Sequence, residues 1–301
     1  MIKSVIRSIQ NQKMLDVEII IVNDFSKDNS MRIIEDMQKE DPRIKIINNE
    51  KNMGILYSRS IGVLESKGKY IFNLDHDDFI LDEDLFDVIY EESEEGNFDI
   101  ISFMEIDIKK YNAKIDEMID VQLASHRDNF IIRQKELILF SLFKNDTFHF
   151  IDNRIWCKLF KAEVYKKALN LLGKERYLTY NIYNENLVSL FAICNVAESY
   201  RYIRKYGIFH YVDRFSTTHM VSHDHYIQME IFFCDVVFDL SKNENKRFAV
   251  NMALKIDTIN EETKINLGKV LKKIMECEYI KENDKEKIRK KNEELGLIMF
   301  K

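Results

Sequence analysis

The sequence of 301 residues contains one proline and eight glycines, so it has little of what makes long flexible linkers. Any domains must therefore be joined through packed elements. Its four cysteines are widely spaced and include no Cys-x-x-Cys pair: Cys157, Cys194, Cys234 and Cys277. This usage predicts buried or half-buried thiols in a reducing compartment and argues against a disulfide framework or a zinc site.

Long apolar runs and a strong charge of one sign are also missing. No run reaches about 18 apolar residues, so no membrane-spanning helix is expected. Residues 1–12 lack the apolar centre of a signal peptide. The net charge of −6 argues against nucleic acid as a partner, because contacts to phosphates need excess positive charge. We therefore expect a cytoplasmic protein, with peripheral contact to a membrane as the alternative.

The composition that is present, 46% hydrophobic and 32% charged residues, indicates a globular protein. Over the first hundred residues, helical patterns of apolar spacing alternate with short apolar runs that predict strands. These runs are residues 17–22, 43–47, 69–74 and 99–104. The first, VEIIIV, is typical of a strand buried on both faces. The alternation predicts an α/β fold with an open, mostly parallel sheet and helices on both faces.

The remainder of the chain changes in character twice. Residues 106–215 mix helix and strand signals and are rich in aromatic residues, and residues 216–301 predict a helical C-terminal extension. The charge run at 281–294, KENDKEKIRKKNEE, predicts a solvated helix face or a frayed tail. A basic face in contact with a membrane is the alternative, although the charges are of both signs.

The sharpest chemical feature is Asp75-His76-Asp77-Asp78, directly after the third predicted strand. Ligands of open α/β sheets bind beyond the carboxyl ends of the strands, so these carboxylates are expected to face a ligand. Three carboxylates within four residues repel one another unless a cation lies among them, and oxygen ligands suit Mg²⁺ or Mn²⁺. Such a metal can neutralise a departing diphosphate. The structural alternative is a favourable interaction with the N-terminus of the next helix.

Two other segments carry residues suited to binding a nucleotide. Asp24 follows the first strand, where a carboxylate can accept hydrogen bonds from a nucleobase or a ribose; the alternative is a turn that leads into a helix cap. Gly54 permits close approach of the backbone, and Arg59 can reach a phosphate or a base. The alternative for this segment is a loop and an ordinary helix with an exposed arginine.

The order and spacing of these segments resemble glycosyltransferase family 2, whose members are nucleotide-sugar transferases of GT-A type. The segments that carry the resemblance are Ile21-Val22-Asn23-Asp24-Phe25-Ser26, Asn52-Met53-Gly54, Ser58-Arg59-Ser60-Ile61-Gly62 and Leu74-Asp75-His76-Asp77-Asp78. A fainter similarity continues at 153–160 and 206–216. The resemblance implies a GT-A-like sheet in which residues 1–105 bind the nucleotide sugar and residues 106–215 bind the acceptor, followed by the helical region 216–301.

The resemblance also implies a role for each matching residue. Asp24 is similar to the acid that reads the base, usually uracil, and Arg59 to the arginine near the nucleotide. Asp75 and Asp77 resemble the DxD pair: Asp77 matches the direct ligand of Mn²⁺ or Mg²⁺, and Asp75 matches a contact to the sugar or ribose that can also reach the metal. Asp78 matches a residue that supports the pair.

The activity implied by the resemblance is transfer of a hexose or amino-hexose from a nucleoside diphosphate sugar, with UDP expected, to an acceptor hydroxyl with inversion. The acceptor is expected to be a saccharide, a lipid-linked molecule or a protein. The family often carries Glu-Asp in its acceptor half, with the acid as general base, and the match here is Glu185-Asn186. Because an asparagine cannot take up a proton at neutral pH, Glu185 is the predicted base.

Two further departures qualify the resemblance. Family members usually open with a strand that carries Pro-x-Tyr-Asn, whereas this sequence begins inside the helix that follows it, so we expect a fragment. The usual Asp-Gly of the base-reading motif is Asp24-Phe25 here, which predicts a changed turn. The alternative function is a truncated or decayed, non-catalytic binding protein. A nucleotidyltransferase is a second alternative, but the glycine-rich phosphate loop expected of it is not visible.

Aromatic and histidine side chains leave alternatives open. Trp156 either stacks on a sugar or packs in the core, and packing is favoured. His76 is expected to point outward or to lie behind the acidic residues. Four further histidines either add a metal ligand or lie on the surface or in packed positions, the latter being favoured. These are His210, His219, His223 and His225.

Overall fold

Over the first 108 residues the predicted helices and strands occur in the predicted order, with one additional short strand, Phe79–Ile80, that the apolar pattern did not predict. The computed structural model describes residues 1–108, 129–133, 151, 154–177, 185–211, 222–242, 246–257 and 260–295. The first elements are α1 (Ile2–Gln10), β1 (Ile19–Asn23), α2 (Ser30–Glu40), β2 (Ile44–Asn48), α3 (Ile55–Glu65), β3 (Tyr70–Phe72), β4 (Phe79–Ile80), α4 (Leu85–Gly96) and β5 (Ile100–Ile108).

In the later part of the chain, the described residues form more helices than strands. They are β6 (Phe130–Ile132), β7 (Lys158–Lys161), α5 (Ala162–Leu172), α6 (Lys174–Tyr177), α7 (Glu185–Cys194), β8 (Tyr200–Tyr211), α8 (His223–Leu240), α9 (Lys246–Lys255), α10 (Glu261–Glu276) and α11 (Glu282–Glu294). The described residues up to 211 form one compact unit, here unit 1, and those from 222 onward form unit 2.

The strands of unit 1 form a mixed arrangement. Strands β1 and β2 pair in parallel, with Ile19 opposite Ile44 and Asn23 opposite Asn48. A second sheet has the order β3-β7-β5-β8-β4, with β6 also paired to β8. Its longest ladder, β5–β8, is parallel, and its shorter ladders are antiparallel. Because β7 runs against both β3 and β5, the strands β3, β5 and β8 point the same way and end at one edge.

Strand β1 is less buried than its composition predicted. Only Ile19 is buried, and the residues from Ile20 to Asn23 are half-buried, so the expectation of burial on both faces was wrong. A β-branched run favours the extended conformation, but burial depends on which neighbours cover it. Helix α3 covers one face at close range because Gly62 has no side chain: a Cβ there would lie 3.3 Å from Cγ2 of Val22.

Two apolar clusters hold unit 1 together. The smaller joins α1 and α2 to the β1–β2 pair through Ile6, Ile19, Ile34, Met37 and Ile44. The larger lies between α4 and the second sheet, and its buried members are Ile80, Leu85, Ile89, Phe98, Ile101, Phe103, Cys157, Leu159, Ile203 and Ile208. In that cluster Gly207 is required by packing, since a Cβ would lie 2.7 Å from atoms of both Leu85 and Phe103.

Unit 2 is built from helices α8 to α11, as the C-terminal pattern predicted. Helix α10 begins with a capping box in which the Asn260 side chain accepts a hydrogen bond from the Thr263 amide at 2.9 Å. The predicted charge run is helix α11. Its face that contains Asp284, Ile288 and Asn292 is buried, so the run is a packed helix and not a frayed tail. Spacing of four residues places these three side chains on one face.

The cysteines have the expected environment. All four are free thiols; Cys157, Cys194 and Cys234 are buried and Cys277 is half-buried. Burial raises the pKa of both Cys194 and Cys234 to about 12, so these thiols are unreactive at neutral pH. Within the described ranges, no helix has both the length and the hydropathy needed to cross a bilayer.

Candidate functional site

Arg59 is the centre of a polar cluster in unit 1. It projects from α3, its side chain is only 8% exposed, and its guanidinium binds residues from two other parts of the sequence. One terminal nitrogen donates to Oδ1 of Asp75 at 2.7 Å. The other donates to Oε1 of Glu185 at 3.2 Å and to Oδ1 of Asn186 at 2.6 Å. Arg59 is therefore buried, which excludes the alternative of an ordinary helix with an exposed arginine. It joins two predicted site residues, Asp75 and Glu185.

The electrostatics of this cluster follow from one cation shared by two carboxylates. Burial opposes the charged form of Arg59, but the charges of Asp75 and Glu185 outweigh it, so the pKa of Arg59 is raised. Burial is also the largest influence on Glu185 and raises its pKa, against the opposing effect of Arg59. The Glu185 side chain is 11% exposed and that of Asp75 is 28% exposed. The cluster therefore opens toward solvent on the Asp75 side.

Tyr165 supports the cluster from α5. Its ring is buried, and the side chains of Ser189 and Asn73 lie close enough to its hydroxyl to lower its pKa, against the larger effect of burial. Burial raises the pKa of Tyr165 to about 12, so it stays neutral beside Arg59 and Glu185. A neutral aromatic wall of this kind limits the access of water to the guanidinium and strengthens its hydrogen bonds.

Asp24 lies at the end of β1 and holds the loop that leads into α3. Its Oδ1 accepts hydrogen bonds from Asn49 Nδ2 at 2.8 Å and from the Met53 amide at 2.6 Å. Its Oδ2 accepts one from the Gly54 amide at 2.8 Å. Gly54 is the N-terminal cap of α3 and has a φ of 86°, which favours glycine. The structure thus brings two of the predicted segments together.

The residue after Asp24 is left-handed although it is not a glycine. Phe25 has a φ of 65°, and its side chain is exposed with Lys27 Nζ 3.4 Å from the ring centroid. The expectation that Asp24-Phe25 changes the turn relative to Asp-Gly stays a prediction. A residue with a Cβ costs roughly 1–2 kcal/mol in this conformation. The hydrogen bonds that surround Asp24 compensate for that strain.

This strain gives a direct prediction. Replacing Phe25 with asparagine is expected to give a protein about 1 kcal/mol more stable than Phe25→Ala, because asparagine tolerates the left-handed conformation and alanine does not. Both variants lose the same contact with Lys27, so the difference between their free energies of unfolding measures the backbone strain. Urea denaturation of the two variants measures it, and equal midpoints would contradict the strain.

The acidic segment lies between β3 and β4. The Asp78 amide donates to the carbonyl of Asp75 at 3.3 Å, which makes a turn, and the Asp78 side chain is buried. Asp77 is 28% exposed, with His76 Nδ1 3.8 Å from its Oδ1 and the His76 ring exposed. Helix α4 begins only at Leu85, after β4. A helix dipole acts only within its first turn. Asp77 and Asp78 are therefore too far from the N-terminus of α4 to interact with its dipole, which was the structural alternative for these residues.

The carboxylates of this segment fit a hard divalent cation only if phosphate and water supply its remaining ligands. The described residues contain no group of three or more His, Cys, Asp or Glu side chains placed to hold a metal. Asp77 and the second oxygen of Asp75 offer one or two carboxylates. Mg²⁺ and similar ions in phosphate sites bind in that way, with substrate phosphates and water completing the coordination. The residues therefore fit a metal that arrives with a diphosphate.

His210 and Asp107 form a second polar pair, beside the aromatic ring of Trp156. The two residues are opposite each other in the β5–β8 ladder, and His210 Nδ1 lies 2.9 Å from Asp107 Oδ1. The Trp156 ring is 5.2 Å from the imidazole, centroid to centroid. Burial lowers the pKa of His210, but Asp107, Asp78 and Asp75 raise it more, so it is raised overall.

Sequence reasoning missed Asp107 and left His210 among several alternatives, because only strand register joins them. Trp156 packs against the larger apolar cluster, as favoured. His223 is exposed in unit 2. Several other residues named above lie outside the described part of the chain: Asn153, His219, residues 212–216 and the side chain of His225.

Comparison with known structures defines the fold class. The fold is of GT-A type. It is similar to the crystal structure of residues 1–349 of TarS from S. aureus in complex with UDP-GlcNAc, with a TM-score of 0.62 at 12% sequence identity. The similarity covers 94% of this chain and 78% of that one. The predicted fold class, an α/β fold of GT-A type with an open, mostly parallel sheet and a helical C-terminal extension, is confirmed.

The chain belongs to glycosyl transferase family 2, whose model matches residues 1–168. A Borreliella burgdorferi protein named cholesterol galactosyltransferase is 28% identical over 67% of this chain and 54% of its own length. A Campylobacter jejuni protein named GalNAc(5)-diNAcBac-PP-undecaprenol beta-1,3-glucosyltransferase is 25% identical over 66% of each chain. The uncharacterized glycosyltransferase EpsJ of Bacillus subtilis is 37% identical over 33% of this chain and 28% of its own length. The chain thus spans only part of the relatives it matches.

Proposed function

We propose that this protein transfers a hexose or amino-hexose from a nucleoside diphosphate sugar, with UDP as the nucleotide, to an acceptor hydroxyl. Family membership supports sugar transfer, and the TarS structure holds UDP-GlcNAc. The observation that carries the proposal is the Arg59 cluster, which fixes Asp75 at the end of β3 beside the half-exposed Asp77.

In this proposal the donor is held by residues from three segments. Asp24 lies where β1 ends and contacts the base, while Arg59 holds the Asp75 carboxylate toward the sugar or ribose. Asp78 supports this segment through its turn with Asp75. Asp77, with Asp75, would hold Mn²⁺ or Mg²⁺, and the bound ion would supply charge neutralisation of the departing diphosphate. Inversion at the anomeric carbon is the expected stereochemistry.

The acceptor that we propose is a saccharide or a lipid-linked molecule, with a protein as the alternative. The names of two relatives support this range, since one is named a cholesterol galactosyltransferase and the other is named a glucosyltransferase of an undecaprenol-linked saccharide. An acceptor of this kind would bring the protein to a membrane surface as a peripheral partner.

Glu185 is the base that the sequence predicts. In the structure its carboxylate is largely buried and bound to Arg59, and Asn186 shares the same guanidinium. A carboxylate in place of Asn186 would add a third negative charge to one cation. The amide at this position is also the observation that favours the alternative function, a non-catalytic protein that binds nucleotide sugars without turnover.

Calorimetry on the 301-residue chain tests the proposal. UDP, GDP and dTDP are titrated with and without Mn²⁺, and release of UDP from UDP-glucose, UDP-galactose and UDP-GlcNAc is followed in parallel. We expect binding of UDP that depends on Mn²⁺ and slow release of UDP from one of the sugars. Binding without release supports the non-catalytic alternative. Absence of metal-dependent binding by all three nucleotides would contradict the proposed function.

A further inference from the structure

Two large apolar side chains are exposed next to the Asp24 carboxylate. Asp24 Oδ2 accepts the hydrogen bond from the Gly54 amide, and this contact brings together the residues that follow in each segment, Phe25 and Ile55. Phe25 is 42% exposed and Ile55 is 44% exposed. Among the residues that the structure describes, Phe25 is the only phenylalanine that is exposed. The carboxylate that is proposed to contact the base therefore lies beside apolar surface that the fold leaves uncovered.

The fold gives no reason for the phenyl ring of Phe25. Its backbone is left-handed, with a φ of 65°, and glycine or asparagine would adopt this conformation with less strain. The ring contact found in the described part of the chain is with Lys27 Nζ, 3.4 Å from the ring centroid. Lys27 covers one face of the ring, so the other face is open to a ligand. Strained residues concentrate at binding sites, where the surrounding structure holds them in place.

The Asp24 carboxylate has capacity for one more hydrogen bond. Its two oxygens offer about four lone pairs. Three of these accept hydrogen bonds, from Asn49 Nδ2 and from the amides of Met53 and Gly54. The remaining lone pair belongs to Oδ2 and can accept one N–H from a ligand. Uracil carries a single N–H on its pairing edge, so a uracil whose edge reaches Asp24 would lie beside the apolar side chains.

Helix α3 relates this place to the acidic segment. Asp24 binds the amide of Gly54, the N-terminal cap of α3, and Arg59 on the same helix binds Asp75. Five residues separate Gly54 from Arg59, which corresponds to about 7.5 Å along the helix axis. The proposed base site and the proposed diphosphate site therefore lie at the same end of α3, as the two ends of one nucleotide require.

We infer that the base of the donor nucleotide stacks on the phenyl ring of Phe25 and also contacts Ile55, an inference that rests on the proposed function. Bases bound outside a duplex are held by stacking on aromatic and apolar side chains. Stacking accepts every base, because each base has a π face, so Phe25 would supply affinity and the Asp24 hydrogen bond would supply selection. Phe25 is thus a nucleotide-binding residue that takes no part in the transfer of the sugar.

Calorimetry with UDP and Mn²⁺ on variants of Phe25 tests the inference. Phe25→Asn removes the ring and suits the left-handed backbone, so loss of the fold is not expected. We expect this variant to bind UDP at least about fivefold more weakly than the wild type, because loss of an aromatic stacking partner weakens binding by about 5–150-fold. Phe25→Tyr keeps the ring and should retain the affinity of the wild type. Ile55→Ala should lose less than Phe25→Asn.

A second ligand separates stacking from a structural role of Phe25. The diphosphate of 5,6-dihydrouridine keeps the N3–H and both carbonyls of the base, but its ring is neither flat nor aromatic. We expect the wild type to bind it at least about fivefold more weakly than UDP, and Phe25→Asn to bind the two ligands about equally. The matched control is Leu15→Ala, which removes an exposed apolar side chain before the start of β1, whereas Asp24 follows its end.

Each contrary result has a separate meaning. Equal UDP affinity in Phe25→Asn and the wild type would overturn the inference and leave the proposed function standing. Equal weakening of UDP and of the dihydrouridine ligand in Phe25→Asn would also overturn it, because the ring would then act through the fold and not on the base. Absence of Mn²⁺-dependent UDP binding by the wild type would overturn the proposed function together with this inference. Thermal melts show whether each variant is folded, and Phe25→Leu, which lacks the aromatic face, replaces Phe25→Asn if that variant is not.

Discussion

Replacing Arg59 with alanine is expected to lower the free energy of unfolding by about 3–5 kcal/mol. The guanidinium is 8% exposed and is bound to carboxylates of Asp75 and Glu185. Without it the Glu185 carboxylate is buried with no compensating charge, and this uncompensated charge is the source of the loss. The Asp75 carboxylate contributes less because solvent reaches it.

The measurement is a urea titration followed by tryptophan fluorescence. Trp156 is the only tryptophan of the sequence and lies in unit 1, so the signal reports on the unit that contains the cluster. Lys39→Ala is the control, because Lys39 pairs with Asp36 on the surface and its loss should cost less than about 0.5 kcal/mol. The double variant Arg59→Met with Glu185→Gln should recover much of the loss. If Arg59→Ala costs no more than the control, the cluster does not stabilise the fold.

The Arg59→Ala loss should also depend on pH. Burial raises the pKa of Glu185 and the charge of Arg59 lowers it, so removal of Arg59 lets the pKa rise further. A carboxyl whose pKa is higher in the folded than in the unfolded state costs stability as the pH rises through that interval. The deficit is therefore expected to be largest near about pH 8 and to shrink toward about pH 4, where glutamate is protonated. A deficit that grows on acidification would contradict this account.

Replacing Asp77 with asparagine is expected to weaken Mn²⁺-dependent binding of UDP by at least about 100-fold. The substitution keeps the shape of the side chain and removes its charge, so the loss reports on the metal. Changing a group that only supports a metal ligand lowers metal affinity by about 10–100-fold, so the loss of a direct ligand is expected to reach at least the upper end of that range. Asp77 is a better test than Asp75, because changing Asp75 would also disturb Arg59.

Calorimetry with and without Mn²⁺ measures the effect of Asp77→Asn. The matched control is Asp36→Asn, which removes an exposed carboxylate that pairs with Lys39 on the surface. We expect the control to bind UDP as the wild type does, and both variants to unfold at similar urea concentrations. Equal UDP affinity in Asp77→Asn and wild type would rule out Asp77 as a metal ligand and would leave the stability of the Arg59 cluster unaffected.

Several features of the site could be anticipated from local sequence. Asp24, Asp75 and Asp77 follow strands that short apolar runs predict, and Gly54 marks the start of a helix. Others could not be anticipated. Phe25 is left-handed although no glycine marks the position, and the preceding Asp24 accepts a hydrogen bond from the Gly54 amide, 30 positions away. The start of α4 at Leu85 depends on β4 pairing with β8, far along the chain.

The sequence by itself determined most helices and strands of the first hundred residues, the family, and the positions of the acidic residues at the strand ends. Apolar periodicity and short polar segments are local properties, and they are readable along the chain. Tertiary structure alone decided that Arg59 is shared by Asp75 and by Glu185, which lies 126 residues away, and that Asp107 meets His210, 103 residues away. Such pairings depend on strand register and helix packing, which no local pattern encodes.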